Sequence, residues 1–289
     1  MTCYPINIKY VNCVIENREF TTINELQNEI NSTFNDSIKG SGTLTLNNVT
    51  VTSGKGALSI PNGVTSVTSN NDLFNEIKFN DSTTKQSVVV SIPNATISVN
   101  EDYTNKSITF AGSSNTITIN GKLASLGISG NNSSVTINND LSGSVSFSGE
   151  VTASATISKN ITVHCVNFNG SGNYTVTNKG TITNENGGGH VIYTQSPSTF
   201  TINNYGTIKN TKTGATYALL FYGNCNATFK AYAGSVLSTD YTNLIIAYSS
   251  AGSIKFMYEN GATIDNAGVN KEYTSLAGSK VEVEKMAQN

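Results

Sequence analysis

The chain has 289 residues, 17 of them Lys or Arg and 19 Asp or Glu, so it carries a formal charge of −2 with only 12% of its residues charged. Arg18 is its one arginine, and no basic stripe exists to meet a nucleic-acid backbone. No run reaches the roughly 18 apolar residues that cross a bilayer, so neither a nucleic-acid partner nor membrane insertion is expected.

The first residues alternate. Ile6, Ile8 and Tyr10, with Asn12 after them, share one face, which suits a first strand or an attachment arm. The same alternation leaves no apolar core for a secretory signal in residues 1–20. The expected setting is therefore a virion released by lysis, or the extracellular or cell-surface side reached by another route or after removal of a signal. Cys3, Cys13, Cys165 and Cys225 are too few for a disulfide framework and read as partly buried thiols. A Cys3–Cys13 bridge is the alternative, and it would mark an oxidising compartment.

Thr22-Ile23-Asn24-Glu25 has the form of a capping box, and Ile23, Leu26, Ile30 and Phe34 follow at near-helical spacing. This predicts a short amphipathic helix laid over the open first coil as a lid. A second, weaker helix is expected from Asn70 or Asn71, on Leu73, Phe74 and Ile77. Between the two, Leu44, Leu46, Val49, Val51, Leu58 and Ile60 mark short strands.

From Thr96 to Asn160 one dipeptide recurs every 20 residues, as Thr96-Ile97, Thr116-Ile117, Thr136-Ile137 and Thr156-Ile157, and once more as Thr175-Val176. Such a period predicts a β-solenoid, in which one coil cannot bury its apolar side until another sits on it. Alternation turns Ile97, Ile117, Ile137 and Ile157 inward as a core stack and the threonines outward. The polar corners Asn100, Asn120, Asp140 and Asn160 are expected to form a ladder, since coils stack at about 4.8 Å with like over like.

After Thr175 the coils widen to 26–28 residues, marked by Gly180, Gly206, Gly234 and Gly261, and 10 of the 13 tyrosines lie between Tyr174 and Tyr273. Apolar runs end at Tyr193, Tyr222 and Tyr248, which should stack if the units stack. That column packs inside or at a subunit contact, or else serves as a platform for sugar rings or a receptor. Lys280 to Glu284 alternates as a strand whose charges discourage edge pairing, a C-terminal cap or a docking strand.

The helix at Asn24–Ile30, followed by strands and by Lys106-Ser107-Ile108-Thr109-Phe110-Ala111-Gly112 leading into Thr116-Ile117-Thr118-Ile119-Asn120-Gly121, resembles the start of right-handed parallel β-helices of the pectin-lyase-like group. That group includes adhesins, autotransporter passengers, phage tailspikes, and polysaccharide lyases and hydrolases. The resemblance covers most of residues 21–265, rests on structural motifs, and implies fold more than activity. Among tailspikes side-by-side β-helices are common, so it also implies a trimer of the chain with itself.

The group's enzymes need clustered aspartates with arginine or lysine, and often a Gly-His-Gly. Here His190 follows Gly189 but precedes Val191, Asp140 and Glu150 lie in adjacent units, and Glu185 and Asp240 stand alone. A glycosidic pair needs carboxyls about 5–9.5 Å apart. His164 and Cys165 are strand neighbours facing opposite ways, and no metal-ligand spacing occurs. No catalytic residue, metal or cofactor is expected.

The sequence thus predicts an all-β fold: one right-handed parallel β-helix with an N-terminal capping helix. Residues 1–40 would form an arm and cap, 41–95 irregular coils with the second short helix, 96–179 regular coils, and 180–289 wider coils with a C-terminal cap. The function expected is a non-enzymatic structural or attachment protein of a virion or cell-surface appendage, partnered by its own subunits, a larger assembly, or a surface glycan or receptor. A carbohydrate-active or sugar-binding β-helix is second. Ice binding through outward pairs such as Thr116 and Thr118 is third.

Overall fold

A strand that buries every second side chain needs a neighbour over that face, and in this chain the neighbour is the next coil. The computed structural model describes residues 2–7, 10–34, 41–184, 190–194, 196–211, 217–221, 224–239, 243–247, 252–266, 272–275 and 281–287. The chain is an all-β, right-handed parallel β-solenoid of about 9 turns, with a single helix, near the N-terminus, among the described residues. It divides into two compact units, Met1–Val135 and Thr136–Asn289.

In the first unit, Thr2–Asn7 and Tyr10–Glu16 form an antiparallel pair that sets Cys3 level with Cys13. Parallel stacking begins when Tyr10–Glu16 takes Ser41–Asn47 beside it. Val64–Ser69, Gln86–Ser91, Tyr103–Phe110 and Leu123–Ile128 follow on the same face. The other face stacks Gly56–Ile60, Phe74–Phe79, Thr96–Val99 and Thr116–Ile119. Ile97 and Ile117 lie side by side and are buried, and Ile137 and Ile157 are buried in the second unit.

The helix, α1 (Ile23–Thr33), starts at Thr22, whose hydroxyl accepts the Glu25 N–H at 3.2 Å, while the Glu25 carboxylate accepts the Thr21 N–H at 2.9 Å. Its buried Leu26 and Ile30 face the coil. Gln27 then acts as a substitute strand. Its Oε1 accepts the Ser59 N–H and its Nε2 donates to the Ser59 carbonyl, both at 2.9 Å, so the edge of Gly56–Ile60 is covered at that residue.

The second expected helix is a strand, Phe74–Phe79. The register shifts between Gly56 and Ala57, which face Phe74 and Glu76, so Asn75 is an extra residue in a bulge. The bulge turns both Phe74 and Ile77 inward and so mimics helical spacing in the sequence.

The 20-residue beat also slips. Thr96 faces Thr116, with the Thr116 N–H donating to the Ala95 carbonyl at 2.9 Å. The corresponding bond in the next coil is donated by Ser134 to the Asn115 carbonyl at 2.8 Å, so Ser134 stands over Thr116 and Val135 over Ile117. In the second unit Thr175-Val176 lies level with Ser154-Ala155 rather than with Thr156-Ile157. In both places the expected partner lies two residues away. A two-residue slip exchanges neighbours without changing faces, which is why the buried set survives it.

In the second unit one face stacks Thr152–Ile157, Asn173–Asn178, Thr199–Asn204, Asn226–Ala231, Ile254–Tyr258 and Val281–Lys285. On the other face Thr162–Phe168 bends, burying Val163 and Val166 while His164 and Cys165 between them are half-buried. Strict alternation therefore fails at this pair. Past the bend the single strand becomes two. Thr162 and Val163 pair with Thr181 and Ile182, whereas Val166–Phe168 pairs with Ile192–Thr194. Val166 comes three positions after Val163 and Ile192 ten after Ile182, so the widening is an insertion at one bend.

The interior is not purely apolar. Phe147, Phe168 and Phe200 stack at centroid distances of 5.3 and 4.2 Å. Beside them runs a buried amide ladder: Asn178, level with Ile157, donates to Asn204 Oδ1 at 2.8 Å, and Asn204 donates to the Val236 carbonyl at 3.2 Å. The corner beyond it needs glycine, because a Cβ on Gly206 would stand 2.1 Å from the Gly180 carbonyl oxygen. The strand Val281–Lys285 follows Ile254–Tyr258, with Glu284 bonded to Lys255 at 2.5 Å. Val283 lies level with the buried Phe256 yet is 44% exposed, so no described residue covers the interior column there.

Replacing Ile117 by Asp puts an unpaired carboxylate in the dry stack and is expected to cost several kcal/mol or to abolish folding. Chemical denaturation measures this, and an unchanged midpoint would contradict the inward assignment.

Candidate functional site

The expected corner ladder holds at Asn100 and Asn120. Asn120 donates to Asn100 Oδ1 at 2.8 Å, and Asn100 passes the chain on to Glu76 at 2.9 Å. In the second unit Asp140 instead accepts the Thr162 N–H at 2.9 Å, and Asn160 serves its turn through a left-handed backbone, φ 66°.

Tyr193 faces Leu220, and Leu220 faces Ile246, whereas Tyr222 and Tyr248 lie outside the described residues. The residues level with Tyr193 are thus Leu220 and Ile246, each two positions before the tyrosine that ends its run in the sequence. Tyr193 is half-buried and stacks on His190 at 4.2 Å. Burial pushes the His190 imidazole below its ordinary pKa. Among the described residues another tyrosine pair reaches the surface: Tyr205, 46% exposed, and the half-buried Tyr232 stack at 4.0 Å and 7° on an outer corner.

Of the acids weighed from the sequence, Asp140 is committed to Thr162, Glu150 is exposed, and Glu185 and Asp240 lie outside the described residues. The Cys165 thiol is raised by burial, and Asn167 Nδ2 donates to its sulfur at 3.7 Å. Among the described residues no three His, Cys, Asp or Glu side chains could hold a metal, and no helix is long and apolar enough to cross a membrane.

The first unit also holds a concave site, built at the strand starts of one face. Ser41, Val64 and Gln86 begin three successive strands of one face. Gly63, at φ 81°, sharpens the turn before the second strand, and its carbonyl accepts the Gly42 N–H at 2.7 Å. Asp81 builds the turn before the third, accepting from the Thr83 N–H and hydroxyl at 2.8 and 2.7 Å and from the Thr84 N–H at 3.0 Å. Those donors hold the Asp81 carboxyl well below the usual carboxylate range. Between these strand starts lies a groove of about 450 Å³, lined by Ser41, Gly63, Thr65, Thr84, Lys85, Gln86 and Ser87.

Its floor is rigid. Gln86 is 8% exposed, and its amide donates to the Pro61 and Val64 carbonyls at 3.0 and 2.8 Å. Its Oε1 accepts from Lys106 Nζ at 3.2 Å. Lys106 is fully buried, donates also to the Thr84 carbonyl at 2.7 Å, and lies 5.3 Å from the centre of the Phe79 ring. Burial lowers the Lys106 ammonium from its ordinary pKa, partly opposed by the Asp81 charge. Behind it Tyr103 meets Phe79 edge-on at 5.0 Å, accepts the Phe79 N–H at 3.1 Å and donates to Glu101 at 2.9 Å.

The signal for this site lies in the strand Tyr103–Phe110. Lys106 has the same parity as the inward Ile108 and Phe110, so a lysine stood on the core side of a strand. Chemically, the lining offers hydroxyls, a cation and a clamped amide, which suits holding a polar ligand. No protein-family model, curated protein or solved structure matches the chain.

Burial drives the Tyr103 phenol up to about 12, above its unfolded value near 10. The folded state holds that proton more tightly, so the contribution is complete below about pH 10 and is lost as pH rises toward 12. Tyr103→Phe should cost about 1–3 kcal/mol at neutral pH, chiefly through the unpaired Phe79 N–H. It should also flatten the stability loss between pH 10 and 12, measured as denaturation midpoints across that range.

Proposed function

We propose that the chain is a non-enzymatic structural or attachment component of a virion or a cell surface. In this reading it is a β-helix of the pectin-lyase-like kind, closest in style to phage fibres and adhesins, that works beside further copies of itself or within a larger assembly. The observation that carries the reading is the outer face of the second unit. Ser154, Thr175, Thr201 and Thr228 stand level in successive coils, and Thr152, Asn173, Thr199 and Asn226 form a parallel column. Side chains repeated at the strand spacing of about 4.8 Å present one polar chemistry many times over, which suits an extended or repetitive partner through many weak contacts.

A sugar-binding β-helix is the second reading, favoured by the Tyr205–Tyr232 stack, because aromatic rings with one wet edge suit the apolar faces of sugar rings.

Placing lysines on the outer column, as Thr175→Lys, Thr201→Lys and Thr228→Lys together, should lower adhesion of the labelled protein to its target surface at least about tenfold with the unfolding transition unchanged. Undiminished adhesion would remove this face from the reading. Light scattering over a concentration series is expected to give a mass of more than one chain, and a monomer at every concentration would count against the assembly.

A further inference from the structure

The groove of the first unit has a charge imbalance. Lys106 is fully buried beneath it, and the two atoms its ammonium bonds, the Thr84 carbonyl and Gln86 Oε1, are both neutral oxygens. At the rim Lys85 is exposed and makes no ion pair among the described residues. The acid of the adjoining turn, Asp81, bonds Thr83 and Thr84 rather than either lysine, and its charge offsets that of Lys106 in part. Two cations and one partly offsetting acid thus border a concave surface whose described lining residues include no acid. A cleft walled by protein concentrates that positive potential and draws in an anion.

Size and lining narrow the choice. At about 450 Å³ the groove falls within the range of small-molecule sites and exceeds what a bare inorganic anion fills. Ser41, Thr65 and Ser87 contribute hydroxyls, which can donate or accept as a ring hydroxyl requires. We propose that this groove binds a carboxylate-bearing sugar unit, of the uronic or sialic acid kind. The proposal rests on the attachment reading and names the ligand class of one contact site. Lys85 pairs with the carboxylate, and the three hydroxyls meet the ring hydroxyls. Lys106 does not touch the ligand. It is a positioning residue that holds the Gln86 amide and the Thr84 carbonyl in place and adds its field from below.

Calorimetric titration of the whole chain with galacturonic acid, N-acetylneuraminic acid, neutral galactose and sodium sulfate tests this. At least one acidic sugar should bind about tenfold or more tightly than galactose and than sulfate, with the advantage shrinking as salt is added. Lys85→Gln should erase the preference while leaving the unfolding transition in place, and Lys85→Arg should retain most of it. Lys106→Met should weaken the acidic sugar without changing galactose. Because that variant risks misfolding, the decision falls on the two Lys85 variants. Equal binding of acids and galactose, no binding of either acid, sulfate binding as tight as the acids, or a preference that survives Lys85→Gln would each overturn the proposal. A parallel adhesion assay separates the two claims. Adhesion without acid binding leaves the attachment reading and removes this ligand class, whereas acid binding without adhesion does the reverse.

Discussion

The parallel ladder between consecutive coils is the constraint on which everything else depends. Every strand must find its N–H and C=O partners one coil away, because an unpaired backbone group inside the stack has no water to turn to. This demands that inward side chains meet inward side chains, but it does not demand coils of equal length. Thr96 to Thr116 spans 20 residues, Thr152 to Asn173 spans 21, and Asn173 to Thr199 spans 26. The differences are absorbed at bends and corners, where the backbone leaves the ladder.

Where the chain leaves the ladder, polar groups come indoors. Asn178 and Asn204 replace aliphatic residues in the buried column because their amides can bond each other and the carbonyls of the corner. Gln86 does the same at the groove, closing the turn at Pro61 and the start of the next strand. Lys106 is the extreme case. A charge at that depth is tolerated through two carbonyl oxygens and an aromatic face, so the site retains a cation that nearby carboxylates do not neutralise by direct bonding.

The division of labour follows from the same geometry. Flat faces repeat one side-chain chemistry in register and favour broad, repetitive contact. Corners vary in length and composition, and they carry the individual features: the groove at the strand starts near Gly63 and Asp81, the His190–Tyr193 contact beyond the bend, and the Tyr205–Tyr232 stack. Edges are handled locally. Gln27 satisfies the backbone of Ser59 as a neighbouring strand would, whereas Val283 keeps an inward position without a described residue over it.

The alternation of residues dictates the fold class, the capping helix and the buried face of nearly every strand, since in-or-out parity is written residue by residue. Ile97, Ile117, Ile137 and Ile157 are all buried for that reason. It could not determine which coil residue lies beside which, because a shift of two keeps the parity and costs nothing that the alternation records. Thus Thr136 and Thr175-Val176 follow the beat without occupying the expected rungs, and Tyr193 lies level with Leu220 and Ile246 rather than with any aromatic residue. Phe74 and Ile77 showed helical spacing only because a bulge added Asn75. The groove was the least legible feature. Its lining comes from three coils, and only the stacking of those coils brings Ser41, Thr65 and Lys85 around one space, above a buried lysine bonded to Thr84 and Gln86.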